Sequence, residues 1–433
     1  MRRRLLSLRG SSVAGLSSST VVARRPVVPW VIALLSAVSM TAYMAWFAHL
    51  QQMDFQVYRM GGQHALSGGL YSSEITVLGR HLLFTYPPVA ALVFQPVSHL
   101  SVHVGQAVWN AIDLLALTAL IAVGIAAAHE RTTVRSDWQT ALLLLCPVGW
   151  LVYPVRETLL LGQINIVLVL MILTDLTIGA SWRGRSLPKG VLVGLAAAIK
   201  LTPLIFIPYL VVTRQLRAAR NAAVTFALVT GAMFAAAPHS SWVYFTKDVF
   251  ETSRVGNAAL TGNQTLREAL ARAHLPLSAV GFDLAAAAIL AVGLVVAAGA
   301  HRRSSPMLGV LVCAATGLLL SPISWDHHYV WVVPALIWLL EGRDAPARAQ
   351  IWALAAALVF VVMQPGAVEG SGVLWYLRAN AYALATLAFL GLIATMLVAK
   401  RRQGVPDSAG VVASRHRRVA RTTVDTFASK GPS

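Results

Sequence analysis

The sequence predicts an all-α, polytopic membrane protein with about 12 transmembrane helices. Hydrophobic residues make up 57% of the 433 residues and charged residues only 12%, a balance that soluble domains do not have. Apolar runs long enough to cross the hydrocarbon core recur along the chain and alternate with basic segments. The predicted organisation is a basic amino terminus (1–26), a membrane domain (27–400) and a basic, polar tail (401–433) that is expected to be disordered.

The apolar runs define the predicted spans one after another. They are 27–50, 101–128, 138–155, 161–180, a broken pair within 190–212, 221–238, 280–300, 306–322, 329–341, 350–364 and 378–399. The first run is long and many others follow it, so a retained anchor is favoured over a cleaved signal peptide. The pair within 190–212 is expected to meet at Lys200, because Pro203 interrupts the helix there.

The basic residues predict the orientation of the chain in a plasma membrane. Most of the 35 Lys and Arg residues fall in 1–26, 129–137, 181–189, 213–220, 301–305, 342–349 and 400–433. By the positive-inside rule these segments and both termini are cytoplasmic. The segments 51–100 and 239–279 then become the main extracytoplasmic loops, and the first is expected to hold interfacial helices. The formal charge of +18 thus indicates topology and contact with membrane lipid rather than nucleic-acid binding.

Asp54 is the first acidic residue of the chain and comes directly after the first predicted span. It opens a loop that carries aromatic residues and a Tyr86-Pro87-Pro88 corner. A carboxylate at the membrane boundary is suited to base chemistry on a membrane-borne substrate, so an active site on the extracytoplasmic side is expected. The alternative is a passive structural loop, which leaves the position of Asp54 unexplained.

Three basic residues lie where the topology disfavours them. Arg156, Lys200 and Arg378 each border or interrupt an apolar run. An ionisable group there is energetically costly unless it is paired or functional. An anionic ligand at the outer face would account for all three.

Two further stretches contain polar groups beside apolar runs. Gln163 and Asn165 place amides at i and i+2 of a predicted span, either to read sugar hydroxyls or to join helices by hydrogen bonds. Trp325, His327 and His328 lie in a short outward connection and can donate hydrogen bonds to phosphate or sugar oxygens. A metal site formed by the two histidines with Asp326 is disfavoured, because adjacent histidines rarely chelate one ion.

These motifs occur in an order that resembles glycosyltransferase family 87, the polyprenol-phosphate-mannose-dependent mannosyltransferases of mycobacteria and related actinobacteria, within the GT-C class. The motifs that carry the resemblance are Asp54-Phe55, Tyr86-Pro87-Pro88, Gly162-Gln163-x-Asn165, Gly194 to Pro203 and Ser321-Pro322-x-Ser324-Trp325-x-His327-His328. The resemblance implies a GT-C fold, a polyprenyl phosphomannose donor and formation of an α-mannosyl bond, expected to be α-1,2. It also implies a lipid-linked acceptor such as a phosphatidylinositol mannoside, lipomannan or lipoarabinomannan, and it makes Asp54 the counterpart of the family's outer-loop aspartate.

An inverting transfer from such a donor needs a base for the acceptor hydroxyl and a cationic patch for the leaving phosphate. Asp54 is the predicted base. The predicted phosphate-binding residues are Lys200, His327, His328 and Arg156, and the predicted acceptor or sugar contacts are Tyr86, Gln163, Asn165, Trp325 and Arg378. The donor already carries its activated bond, so no metal and no other cofactor is expected.

Two other classes of protein remain as alternatives. A lipid or glycolipid transporter or flippase also uses a broken helix and an intramembrane lysine, although it should show two related halves and the sequence has no visible internal repeat. The second alternative is a non-catalytic subunit that binds lipid. The substitution Asp54→Asn separates these alternatives from an enzyme, because only an enzyme needs the base.

Overall fold

The structure is a computed structural model that describes residues 31, 34–35, 38–42, 52–131, 137–182, 185–275, 278–346 and 348–402. The predicted basic amino terminus, most of the first predicted span and the tail beyond Arg402 lie outside these residues. Nearly all regular structure in the described part is helical.

The helices, numbered in chain order, vary widely in length. They are α1 (Met53–Gln63), α2 (Pro88–Ser98), α3 (Val102–Ala128), α4 (Trp138–Leu151), α5 (Tyr153–Leu161), α6 (Asn165–Leu176), α7 (Val191–Ile199), α8 (Phe206–Val212), α9 (Leu216–Ala236), α10 (Pro238–Thr246), α11 (Leu266–Arg272), α12 (Ala279–Arg303), α13 (Pro306–Leu320), α14 (Val332–Glu341), α15 (Ala349–Val362), α16 (Gly372–Ala379) and α17 (Ala381–Arg402). Short 3-10 turns occur at Thr202–Ile205, Asp248–Phe250, Thr252–Val255, Asp326–Trp331 and Pro365–Ala367.

The chain is a multi-pass membrane protein. Within the described residues, α3, α9, α12 and α17 are each long and apolar enough to cross a membrane, and the bent pair α4–α5 would make a fifth span. Several other predicted spans contain apolar helices that are too short to cross alone, including α6, α13 and α15. The count of about 12 spans therefore remains a prediction, because the apolar runs are divided into shorter helices than their hydropathy indicates.

The predicted spans 138–155 and 161–180 have different boundaries in the structure. Helix α4 ends at Leu151, α5 turns away from it by 84°, and α6 begins only at Asn165. Pro154 lies in the first turn of α5, where proline is tolerated and where it prevents α4 from continuing. Hydropathy alone does not show such a bend, because the residues on both sides of it are apolar.

The break predicted at Lys200 is present. Helix α7 ends at Ile199, and Lys200 is extended, with φ −146° and ψ 130°. The 3-10 turn Thr202–Ile205 follows, with Pro203 near its start, and α8 continues from it. The other end of α7 is held by Asp175, whose carboxylate accepts the backbone N–H groups of Gly190 and Val193 at 3.0 Å.

The segment 51–100 contains the two helices expected there, α1 and α2, which pack against each other. Between them lies an antiparallel hairpin, β1 (Glu74–Val77) with β2 (Arg80–Leu83), a small addition to a fold that is otherwise mostly helical, as predicted. Leu78 and Gly79 both have positive φ, the geometry of a two-residue hairpin turn. A second, shorter hairpin pairs β3 (Ser181–Trp182) with β4 (Arg185–Ser186).

Candidate active site

A cavity of about 720 Å³ brings together residues that are far apart in sequence. Its lining includes a set of the residues predicted to be functional: Asp54, Tyr86, Gln163, Lys200, Trp325, His327 and His328. The volume lies within the range of about 300–1,000 Å³ that is usual for ligand pockets. Most of the residues that were predicted to form the site therefore line one cavity.

Asp54 lies in the first turn of α1, where the partial positive charge of the helix terminus favours a carboxylate. Burial raises the pKa of Asp54 above its ordinary value, while nearby His327, a hydrogen bond from Gln163 and the charge of Lys200 act in the opposite direction. A carboxylate with a raised pKa is a stronger base than one in water. Asp54 thus combines access to the cavity with increased basicity.

Gln163 connects Asp54 to two tyrosines. The Oε1 atom of Gln163 lies 2.7 Å from the Tyr58 hydroxyl and 3.1 Å from the Tyr86 hydroxyl, both of which can donate to it. Gln163 also lowers the pKa of Asp54, and because a carboxylate has no proton to give, the Nε2 group is the part of the amide that can stabilise its charge. The tyrosines therefore orient the amide so that its N–H faces the carboxylate.

A left-handed turn at Gly162 places this amide. Gly162 has φ +72° and ends α5, and its carbonyl accepts the indole N–H of Trp109 at 2.8 Å. A Cβ atom at this position would lie 2.8 Å from the Cβ of Phe55, closer than real Cβ contacts. Glycine is therefore required both for the turn and for its close approach to α1, the helix that carries Asp54.

Lys200 has two neighbours that accept its protons. Its Nζ donates to Asn165 Oδ1 at 2.9 Å and to His328 Nε2 at 3.2 Å, and it lies 5.3 Å from the centre of the Tyr86 ring. An ammonium group carries three N–H bonds, so one donor remains for a further acceptor. The extended backbone at Lys200 brings this group out of the helix and to the cavity wall.

His328 is neutral in this arrangement. Its Nε2 accepts the Lys200 hydrogen bond, so the ring proton resides on Nδ1. Burial lowers the pKa of His328 well below its ordinary value, and the charge of Lys200 adds to the effect. This histidine therefore orients the lysine rather than adding a second positive charge.

His327 is fixed through its backbone and has a free ring nitrogen. Its carbonyl accepts hydrogen bonds from Thr158 Oγ1 at 3.0 Å and Asn165 Nδ2 at 3.3 Å, and its Nδ1 lies 3.5 Å from Asp326 Oδ1. Within the part of the chain that the structure describes, its buried Nε2 has no hydrogen-bond partner. The free nitrogen belongs to a side chain that lines the cavity.

Three of the predicted site residues do not line the cavity. Arg156 lies on α5 with its guanidinium 5.1 Å from the centre of the Tyr153 ring, and Arg378 is exposed in the last turn of α16. Asn165 reaches the site only through its contacts with Lys200 and His327. A position at the border of an apolar run therefore does not by itself bring an arginine into the site.

Tyr58, which contacts Gln163 from behind the cavity wall, and three residues of the cavity lining were not predicted from the sequence. Tyr58 lies four residues after Asp54, a spacing that places both on one face of α1 and could have indicated it. The 3-10 turns after α10 add Asp248, Glu251 and Arg254 to the lining. No sequence pattern distinguishes these three from ordinary loop charges.

Metal ligation has no obvious place among the described residues. They contain no group of three or more His, Cys, Asp or Glu side chains arranged to hold an ion. The expectation that transfer needs no metal remains a prediction.

One protein-family model and three known proteins match this chain. The model of glycosyltransferase family 87 matches residues 84–322. A polyprenol-phosphate-mannose-dependent α-(1-2)-phosphatidylinositol mannoside mannosyltransferase of Mycobacterium tuberculosis is 33% identical over 406 residues, which cover 86% of this chain and 93% of that protein. The protein of the same name from Mycolicibacterium smegmatis is 32% identical over 79% of this chain and 84% of its own length.

A third relative is the polyprenol-phosphate-mannose-dependent α-(1-2)-phosphatidylinositol pentamannoside mannosyltransferase of Mycobacterium tuberculosis, 34% identical over 83% of this chain and 86% of that protein. No solved structure matches the chain. The three relatives each match 79% to 86% of this chain. The family match includes Tyr86, Gln163 and Lys200 of the cavity lining, whereas Asp54, Trp325, His327 and His328 lie outside it. The chain is therefore a glycosyltransferase and belongs to glycosyltransferase family 87.

Proposed function

We propose that the protein is an inverting α-mannosyltransferase that moves mannose from polyprenyl phosphomannose to a lipid-linked glycan, with Asp54 as the general base. The observation that carries the proposal is the shared cavity, which has the Asp54 carboxylate and the Lys200 ammonium in its lining. Base and phosphate-binding cation are the two groups that this chemistry requires. The names of the three relatives support the mannosyl donor and a phosphatidylinositol mannoside acceptor.

In the proposed reaction the acceptor hydroxyl attacks the anomeric carbon of the β-linked donor and gives its proton to Asp54. The bond between the anomeric carbon and the phosphate oxygen breaks, and the electron pair leaves with polyprenyl phosphate. Attack from the opposite face of the sugar produces the α-mannoside. No acid is needed, because a phosphate leaves without being protonated.

Lys200 and His327 are proposed to receive the phosphate. Lys200 keeps one N–H beyond those directed at Asn165 and His328, and His327 offers its free Nε2. Charge-assisted hydrogen bonds of this kind strengthen as negative charge develops on the leaving group. Trp325, Tyr86 and Gln163 are proposed to contact the sugars, whereas Arg156 and Arg378 lie away from the cavity lining.

The proposed setting is the plasma membrane, with both termini cytoplasmic and the cavity on the extracytoplasmic side. A GT-C fold, an α-1,2 bond and a phosphatidylinositol mannoside, lipomannan or lipoarabinomannan acceptor complete the proposal. The donor's polyprenyl chain would remain in lipid while its head group enters the cavity.

The test is a transfer assay with the purified protein, labelled polyprenyl phosphomannose and a phosphatidylinositol mannoside. We expect labelled acceptor with one additional mannose, an α anomeric configuration and a 1,2 linkage by NMR. Transfer of label to no mannoside, together with movement of the intact donor across vesicles, would instead identify a transporter.

A further inference from the structure

The cavity lining has a second charged region, which no part of the proposed chemistry uses. Asp248, Glu251 and Arg254 form this end of the lining. Asp248 and Arg254 form an ion pair at 3.6 Å between Arg254 Nη2 and Asp248 Oδ2, and their side chains are only 4% and 14% exposed. Two charges are thus held almost out of water at the wall of a ligand-sized cavity.

The hydrogen bonds of this pair are incomplete. Among the residues the structure describes, Asp248 Oδ2 and Arg254 Nε are buried and have no hydrogen-bond partner. The Arg254 guanidinium donates one hydrogen bond at 2.8 Å, to the backbone carbonyl of Tyr71. Buried polar groups are nearly always hydrogen-bonded, because leaving one unpaired costs about 1–3 kcal/mol. Both unpaired groups belong to side chains in the cavity lining, where a ligand has room to supply the missing partners.

The charges at this end indicate what kind of ligand it takes. Asp248 pairs with Arg254, and Glu251 pairs with Lys247 at 3.8 Å between Lys247 Nζ and Glu251 Oε1, so this group has no excess charge of either sign to hold an ion. A neutral ligand with several hydroxyls needs no such excess. Its O–H groups can donate to the carboxylate, and its oxygens can accept from the arginine. A sugar has this pattern of donors and acceptors.

A chain of contacts connects this end to the proposed base. The Tyr71 carbonyl accepts from Arg254, and the Tyr71 hydroxyl donates to the Tyr86 carbonyl at 2.7 Å. The Tyr86 hydroxyl lies 3.1 Å from Gln163 Oε1, and Gln163 is near enough to Asp54 to lower its pKa. A ligand held by the ion pair therefore lies in the cavity that the base and the phosphate-binding lysine also line.

We propose that Asp248 and Arg254, with Glu251 beside them, form the subsite for a neutral sugar of the acceptor glycan. The inference rests on the proposed function, because it assigns the acceptor to the end of the cavity that the donor phosphate does not occupy. An acceptor held there by one sugar presents another hydroxyl toward Asp54. The cavity, at about 720 Å³, has room for more than one hexose ring.

The test is steady-state kinetics of Asp248→Asn and Arg254→Lys with polyprenyl phosphomannose and a mannoside acceptor. Each variant should raise the acceptor KM by about 10- to 100-fold, the effect of losing a hydrogen bond to a charged group, while the donor KM moves less than about twofold. Arg267→Gln is the matched control, because Arg267 is exposed, lies outside the cavity lining and packs over the Phe282 ring at 5.0 Å. It should leave both KM values unchanged.

Deoxy acceptors give a measurement that does not depend on how much of a variant is folded. In the unsubstituted protein, removal of the hydroxyl that contacts Asp248 should lower kcat/KM by about tenfold or more relative to the parent acceptor. In the Asp248→Asn variant, kcat/KM for the deoxy acceptor and kcat/KM for the parent acceptor should become nearly equal. The subsite would be overturned if, for every deoxy acceptor, the ratio of its kcat/KM to that of the parent acceptor were the same in Asp248→Asn as in the unsubstituted protein. A rise in the donor KM instead of the acceptor KM would also overturn it. Absence of any transfer by the unsubstituted protein would overturn the proposed function instead.

Discussion

The Lys200 ammonium donates to the Nε2 atom of His328 at 3.2 Å, which requires the histidine to be neutral and to carry its proton on Nδ1. Asn165 accepts a second proton of the same ammonium at 2.9 Å. The lysine thus makes its hydrogen bonds to two neutral acceptors, and its positive charge, which also acts on Asp54, is available to a ligand. An anion in the cavity would be matched by Lys200 with little reorganisation.

Lys200→Met removes this charge and should lower kcat/KM for polyprenyl phosphomannose by about 100-fold or more, because the leaving phosphate loses its main cationic partner. Initial rates at varied donor concentration measure the effect. Lys400→Met is the control, since Lys400 lies in the last turn of α17 and pairs at 3.8 Å with Asp344. Equal losses in both variants would contradict the assignment of Lys200.

The hydrogen bond from Gln163 predicts a shift in pH dependence. Asp54 acts as a base only when ionised, so activity should fall as pH drops through its pKa, which burial raises and Gln163 lowers. Gln163→Leu removes the lowering effect and should therefore move the acid limb of the kcat/KM profile to higher pH. Gln350→Leu, on the exposed face of α15, should leave that limb in place. A shift to lower pH in Gln163→Leu would show that the amide does not donate to the carboxylate.

Gly162→Ala should damage both stability and turnover. The φ of +72° disfavours any side chain, and the new Cβ would approach Phe55 to 2.8 Å, so a cost of about 1–3 kcal/mol is expected. Thermal unfolding in detergent should shift downward, and kcat should fall because α1 and Gln163 separate. Gly391→Ala is matched to it, since a Cβ there would meet nothing within 4 Å. Unaltered kcat in Gly162→Ala would show that the turn does not position the base.

Transfer should continue when divalent ions are removed. Lys200 and His327 supply the hydrogen bonds to the phosphate in the proposed reaction, and the described residues hold no group of three or more side chains arranged for an ion. Rates measured with and without excess chelator should agree within about twofold. Loss of activity that a divalent ion restores would make Asp326, His327 and His328 candidate ligands.

Some of these relationships could be predicted from the sequence because they depend on strong local signals. A lysine and a proline inside an apolar run predict the break at Lys200, since both oppose a continuous membrane helix. The hairpin between α1 and α2 was missed because Leu78, the first residue of its turn, has positive φ, which few leucines adopt. The bend between α4 and α5 was missed because the residues on both sides of it, from Trp150 to Val155, form one continuous apolar stretch.

The candidate site could be predicted only in part, because its sequence signals are also local. A charged residue beside or within an apolar run is a strong sequence signal for function. This signal selects Asp54 and Lys200, and it selects Arg156 and Arg378 equally. Only the structure distinguishes the first pair, in the cavity lining, from the second pair, outside it. The ion pair between Asp248 and Arg254 depends on folding of the 3-10 turns after α10, which no periodicity reveals.

The most direct test of the central claim is the rate of mannosyl transfer by purified Asp54→Asn, compared with Asp283→Asn, an exposed carboxylate on α12 outside the cavity lining. Asn keeps the shape of the side chain and cannot accept the proton. We predict that Asp54→Asn loses at least about 100-fold in kcat while it binds polyprenyl phosphomannose with near-normal affinity, and that Asp283→Asn retains full activity. Near-normal turnover by Asp54→Asn would contradict the role of Asp54 as the base.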